Sequence, residues 1–133
     1  MEMLSLLPDH MGIFILEFLL PAEYTYMSHT NDHIRRILAQ NTLFLQRQKK
    51  HYEKKLVATH KTRKETQRLL FVSRRLYTRS LPHHIPDISY ETAWKYLRQY
   101  HEYKRHLHRE DKKIENLICQ KKQIKVLLKE LFY

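Results

Sequence analysis

The sequence predicts an all-α protein, with a short three-helix head followed by a long antiparallel helical hairpin of coiled-coil-like packing. Three observations carry this reading. Gly12 is the sole glycine of the 133 residues, and without glycine the tight primed turns of β-hairpins are hard to build. Four prolines, Pro8, Pro21, Pro82 and Pro86, punctuate the chain and leave 22–81 and 87–133 free of both Pro and Gly. Those two stretches are filled largely by Lys, Arg, Gln, Glu and Leu, which are good helix formers.

The head opens with Leu4 to Leu20, LSLLPDHMGIFILEFLL, which is apolar on nearly every side. A surface helix needs an apolar stripe only about 100° wide. This one therefore needs cover on both faces. The strongly polar remainder of the chain supplies one cover, so the other is expected from a second protein. The run is about half the roughly 20 apolar residues that cross a bilayer, and it contains Glu17. Glu2 and Asp9 replace the positive start of a secretory signal, and no Ala-x-Ala follows. No membrane insertion is expected.

Pro8 suits a first helical turn, where its missing N–H costs nothing, and Asp9 favours the positive end of the helix dipole. The first helix is expected to run to about Leu19. Pro21 stops it and opens a second short helix, PAEYTYMS. Asn31 is a candidate N-cap for a third, DHIRRILA, in which Ile34, Ile37 and Leu38 share one face at i, i+3, i+4 and Arg35 and Arg36 point away. Asn41 or Thr42 can cap a fourth helix opening with Leu43, Phe44 and Leu45.

Leu7-Pro8-Asp9, Ile15-Leu16, Phe18-Leu19, Pro21, Ile34-Arg35-Arg36-Ile37-Leu38 and Leu43-Phe44 together resemble an F-box, without gaps from Leu7 to Phe44. The chain departs from that pattern at His10, Gly12, Asn31-Asp32, Ile34 and Phe44. The resemblance covers about a third of the chain and implies a helical module that docks on the Skp-type adaptor of cullin–RING ubiquitin ligases. It implies adaptor-facing roles for Leu7, Pro8, Ile15, Leu16, Leu19 and Pro21, with Ile34 and Leu38 completing the module. Small F-box proteins without a familiar substrate domain resemble those abundant in large DNA viruses, which makes a viral protein, or a virion component, one expectation.

The charge is divided. Residues 1–46 carry two Lys or Arg against five acids, net −3, whereas residues 47–133 carry twenty-three against nine, net +14. An apolar, acidic head on a basic body points to two surfaces with two kinds of partner. The domains read from this are 1–46, the head, and 47–133, the hairpin, with helices over about 42–80 and 89–132 and a turn at 81–88. The second long helix keeps a 3–4 spacing through Ala93, Tyr96, Tyr100, Tyr103, Leu107, Ile114, Leu117, Ile124, Leu128 and Leu131, interrupted at Glu110 and Lys121. That is a heptad seam. Folded back on the preceding helix, it sets Leu76 near Ala93, Leu70 near Tyr100 and Leu56 near Ile114. The chain end, Ile124 to Phe132, then returns to the head. A homodimer through the same seam is the competing arrangement.

No catalytic set emerges, and no enzyme is expected. The acids lie among Lys and Arg at helical spacing, as Glu53 does with Lys49 and Lys50, which is the pattern of surface pairs. Cys119 is the single cysteine; it forbids an intrachain disulfide and suits a reducing, intracellular compartment, cytoplasmic or nuclear, or a virion. His101-Glu102 begins a zincin-like pattern, but the next His is at 106 and the motif needs it at 105, where Arg stands. No metal or cofactor is expected. The basic runs 49–55, 61–68, 74–79 and 103–109 are interleaved with tyrosines. Lys49, Lys50, Lys54, Lys55, Lys61, Arg63, Lys64 and Arg68 are the candidate contacts to an anion, to nucleic acid or to an acidic protein.

The function expected is a non-enzymatic interaction adaptor that links a Skp-type partner to a second partner on the hairpin. The alternative is a structural or nucleic-acid-associated component that uses the head only as a docking wedge.

Overall fold

The computed structural model describes residues 8–80 and 90–132. They form five helices: α1 (Asp9–Leu16), α2 (Pro21–Thr30), α3 (Asp32–Gln40), α4 (Thr42–Arg79) and α5 (Tyr90–Phe132). No strand occurs among the described residues, and the fold is all-α. The expected turn at 81–88 lies outside the described residues, as does Leu7.

The chain divides into two compact units, one of residues 1–56 and 116–133, the other of residues 57–115. The division does not fall at the expected 46/47 boundary. The reason lies in the core of the first unit. Three helices of eight to ten residues cannot enclose Tyr24, Ile34, Ile37 and Leu38 by themselves. The start of α4 adds Phe44, Leu45, Tyr52 and Leu56, and the end of α5 adds Leu117, Ile124 and Leu127, all buried.

Backbone chemistry sets the short helices. Pro8 is the residue preceding α1 and not its first turn: its ψ is 149°, and its carbonyl accepts from the N–H groups of Met11 and Gly12 at 3.0 and 3.1 Å. α1 stops at Leu16, three residues before the expected end. The N–H groups of Phe18 and Leu19 reach back to the carbonyls of Ile15 and Leu16, both at 3.1 Å, a tightened closing turn. Leu20 is then extended, at φ −75° and ψ 150°, as the residue before a proline must be. Pro21 opens α2, and the Leu20 N–H donates to the Glu23 carboxylate at 3.0 Å.

Asn31 serves two helices. Its N–H donates to the Met27 carbonyl at 2.9 Å and closes α2. Its side-chain oxygen accepts from the N–H groups of His33 and Ile34 at 2.9 and 3.2 Å and opens α3. Along α3 the expected face holds: Ile34, Ile37 and Leu38 are fully buried, and Arg35 and Arg36 are exposed. Gly12 is where α1 crosses α3, since a Cβ there would stand 2.9 Å from Cδ1 of Ile37. Glycine there costs helix propensity of about 1 kcal/mol relative to alanine, and its missing Cβ leaves room for the movable end of the Ile37 side chain.

The last turns of α5 close the first unit against α2. The Ala22 N–H, unpaired within its own first turn, donates to Oε1 of Gln120 at 3.0 Å. The His29 imidazole meets the Glu130 carboxylate at 2.8 Å. Lys121, one of the two polar breaks in the seam, lies 3.5 Å from Glu53.

In the second unit α4 and α5 run antiparallel. Arg63 is paired with Asp111, and the Thr66 hydroxyl donates to Glu110 at 2.9 Å. The other break in the seam is thus also met by a polar group of α4. The register differs from the expected one. Setting Leu70 near Tyr100 would bring Thr66 near Lys104, but its partner lies more than a turn further along α5. The cause is the line that α4 buries. The bulky apolar side chains late in α4 are half-buried at Leu69, Leu70 and Leu76 and exposed at Phe71 and Val72, while Thr59, Thr66, Ser73 and Ser80, each seven residues from the next, are buried. Small side chains on that line leave room for the bulky seam of α5, where Tyr96, Tyr100, Tyr103 and Leu107 are half-buried.

Candidate functional site

The geometry of α1 decides which apolar groups face outward. Gly12 faces Ile37, so Leu16, one turn later on the same side, also points into the core and is fully buried. Pro21, Ile34 and Leu38 are likewise buried beneath the chain's own groups. These four residues of the expected adaptor-facing set are core, which corrects their assignment. Pro8 is exposed, and Ile15 and Leu19 are half-buried.

The outward face is formed by residues outside that set. Met11, Phe14, Phe18 and Leu20 are 45%, 60%, 76% and 46% exposed. The rings of Phe14 and Phe18 meet edge to face with centroids 5.3 Å apart, a favourable pairing that still leaves most of both rings in water. Beside them a hollow of about 280 Å³ is lined by Ile13 of α1 and Glu17 just after it, by Asn41, and by Leu43, Phe44 and Arg47 of α4. Leu43 is itself exposed. The first unit thus carries an apolar ridge next to a groove with one acid and one arginine. The signal that finds this ridge in the sequence is Gly12: a lone small residue in a bulky helix marks the side that approaches a neighbour, and the opposite side is then free.

The phenol of Tyr24 sits in the core beneath this face. Burial, and then the neighbouring Tyr52, push its pKa well above the usual tyrosine range. Its hydroxyl has no hydrogen-bond partner among the described groups, and its ring packs edge to face on Phe44 at 5.8 Å.

The expected anion-binding residues on α4 are unequal. Lys50, Lys54, Lys61 and Lys64 are exposed, and Lys49 is half-buried, lining a hollow of about 310 Å³ with Gln46, Glu53, Leu128 and Phe132. Lys55 lies over the Tyr52 ring at 5.8 Å. Arg63 is engaged by Asp111. Arg68 pairs with Glu65 at 2.6 Å, and that guanidinium holds the carboxyl of Glu65 below its ordinary value. On α5, a separate hollow of about 640 Å³ is lined by His101, Lys104, Arg105, His108 and Arg109.

No family model, curated protein or solved structure matches this chain. Its chemistry must be read from its own surfaces. No three potential metal ligands converge among the described residues. Cys119 is exposed, and no described helix is long and apolar enough to cross a membrane.

Proposed function

We propose that the chain is a non-enzymatic interaction protein whose F-box-like head docks on a Skp-type ubiquitin-ligase adaptor and whose basic helical hairpin holds a second partner. The observation that supports this most is the ridge of Met11, Phe14, Phe18 and Leu20, with two phenylalanine rings more than half exposed on one short segment. Contiguous apolar surface of this kind commonly marks a protein interface. Burying a phenylalanine side chain is worth about 1.5–3 kcal/mol, and two such rings could anchor a complex. The neighbouring groove adds Glu17 and Arg47 as polar rim groups.

The test is calorimetric titration of the purified chain with a Skp-type adaptor. Wild type binds, and Phe18→Asp, exposed and therefore folded, loses at least about tenfold in affinity, the equivalent of 1.4 kcal/mol. Absence of binding by the folded wild type, or an unchanged Phe14→Asp/Phe18→Asp variant, overturns the reading. A second reading, a nucleic-acid-associated component, is favoured by the uncompensated cations on α5.

A further inference from the structure

Residues 57–115 hold fourteen Lys or Arg against seven acids; α4 carries most of that excess, but on α5 the basic groups are sorted onto one face. Arg98, His101, Arg105, His108 and Lys112 follow one another at intervals of three or four, with Lys104 and Arg109 on the flanks, and all seven side chains are exposed. Five of them enclose the open hollow of about 640 Å³. The ion pairs among the described residues engage His29, Arg63, Arg68 and Lys121 and none of these seven. Glu102, beside Arg98 and Arg105 in sequence spacing, forms no ion pair with them. Lys104 meets only the ring of Tyr100, at 6.0 Å. Cations four apart, such as Arg105 and Arg109, repel and weaken a helix. Arg109 and Lys112, three apart, add to that repulsion, which a polyanion lying along the face relieves.

We propose that this face of α5 is a binding site for the phosphate backbone of double-stranded nucleic acid. From Arg98 to Lys112 the row spans about 21 Å at 1.5 Å per residue, the length of about six base pairs at 3.4 Å each. No apolar side chain stands on the face between those ends to anchor a folded protein. The hollow is lined by no Phe, Tyr or Trp, the large rings that best stack an unpaired base, and Trp94 lies beyond the end of the row. Guanidinium and ammonium groups at turn spacing match phosphates, so binding follows the backbone and is steeply weakened by salt. The proposal rests on reading the hairpin as a partner-binding surface and is independent of what the head binds.

The test is fluorescence anisotropy of a labelled 20-base-pair DNA duplex titrated with the full chain between 50 and 200 mM salt. Arg105→Glu/Arg109→Glu is expected to weaken binding at least about tenfold and to make the slope of log K against log salt shallower by about two. Lys61→Glu/Lys64→Glu on α4 changes the net charge equally and is expected to cost less than about threefold if the site is local. Circular dichroism checks that each variant remains helical, and Arg105→Gln/Arg109→Gln, with the same expected change in slope, replaces a charge reversal that unfolds. The proposal is overturned if wild type leaves the duplex unbound, if the α4 variant loses as much as the α5 variant, or if polyglutamate or a single strand of the same length binds more tightly than the duplex. Phe18→Asp binds the duplex as wild type does, so failure of the adaptor reading leaves this result intact.

Discussion

Leu16→Ala and Phe18→Ala form a paired test of which side of the first segment is core. Leu16 is fully buried, and Phe18 is 76% exposed. Removing a buried leucine side chain costs the transfer term and a cavity term, about 2–5 kcal/mol. The neighbours of Leu16 belong to a core assembled from α1, α2, α3 and the ends of both long helices, which has little freedom to collapse around a void. A value in the upper half of that range, about 4 kcal/mol, is therefore expected. Truncating a buried phenylalanine costs about 3–5 kcal/mol. Only about a quarter of the Phe18 side chain is out of water, so its loss, including its edge contact with Phe14, should cost about 1 kcal/mol or less. Urea unfolding followed by circular dichroism measures both. Leu16→Ala should lower the midpoint well below that of Phe18→Ala at unchanged slope. Equal midpoints, or a larger loss for Phe18→Ala, would refute the assignment of faces and with it the ridge.

Two further outcomes follow from named groups. Asn31→Ala removes the acceptor for the N–H groups of His33 and Ile34 and should destabilise the head by about 1 kcal/mol, read as a lowered urea midpoint that Asn31→Asp largely restores. Tyr24→Phe removes a buried hydroxyl with no partner among the described groups and should be neutral or stabilising at neutral pH. The folded-state pKa of Tyr24 is raised, so the unfolded chain ionises first. Stability is then full below the unfolded value near 10 and declines as pH rises above it. Alkaline unfolding curves should show that decline to be shallower in Tyr24→Phe, with the raised phenol of Tyr52 accounting for part of what persists.

Local chemistry was legible in the sequence wherever a single residue type decides it. Pro21 opens a helix because its ring presets φ and lacks an N–H, Asn31 caps α3 because its short side chain reaches two free donors, and Ile34, Ile37 and Leu38 share a face because the helix repeats every 3.6 residues. The absence of Pro and Gly over 42–79 and 90–132 is enough to read two long helices. The outward face of α1 was not legible in the same way, because a helix apolar all round has no preferred side by pattern alone. Leu16 and Phe18 are equally good interface candidates until Gly12 is seen against Ile37.

The all-helical class, the element order and the concentration of positive charge beyond the head belong to the sequence itself, since they follow from backbone propensity and composition. The tertiary structure alone decided the register of α4 against α5, the line of Thr and Ser that α4 buries, and the distinction between cations held by a carboxylate and cations left free. Each of these depends on which side chains, far apart in the chain, come within reach of one another, and periodicity fixes the spacing of a row but not the partner it meets.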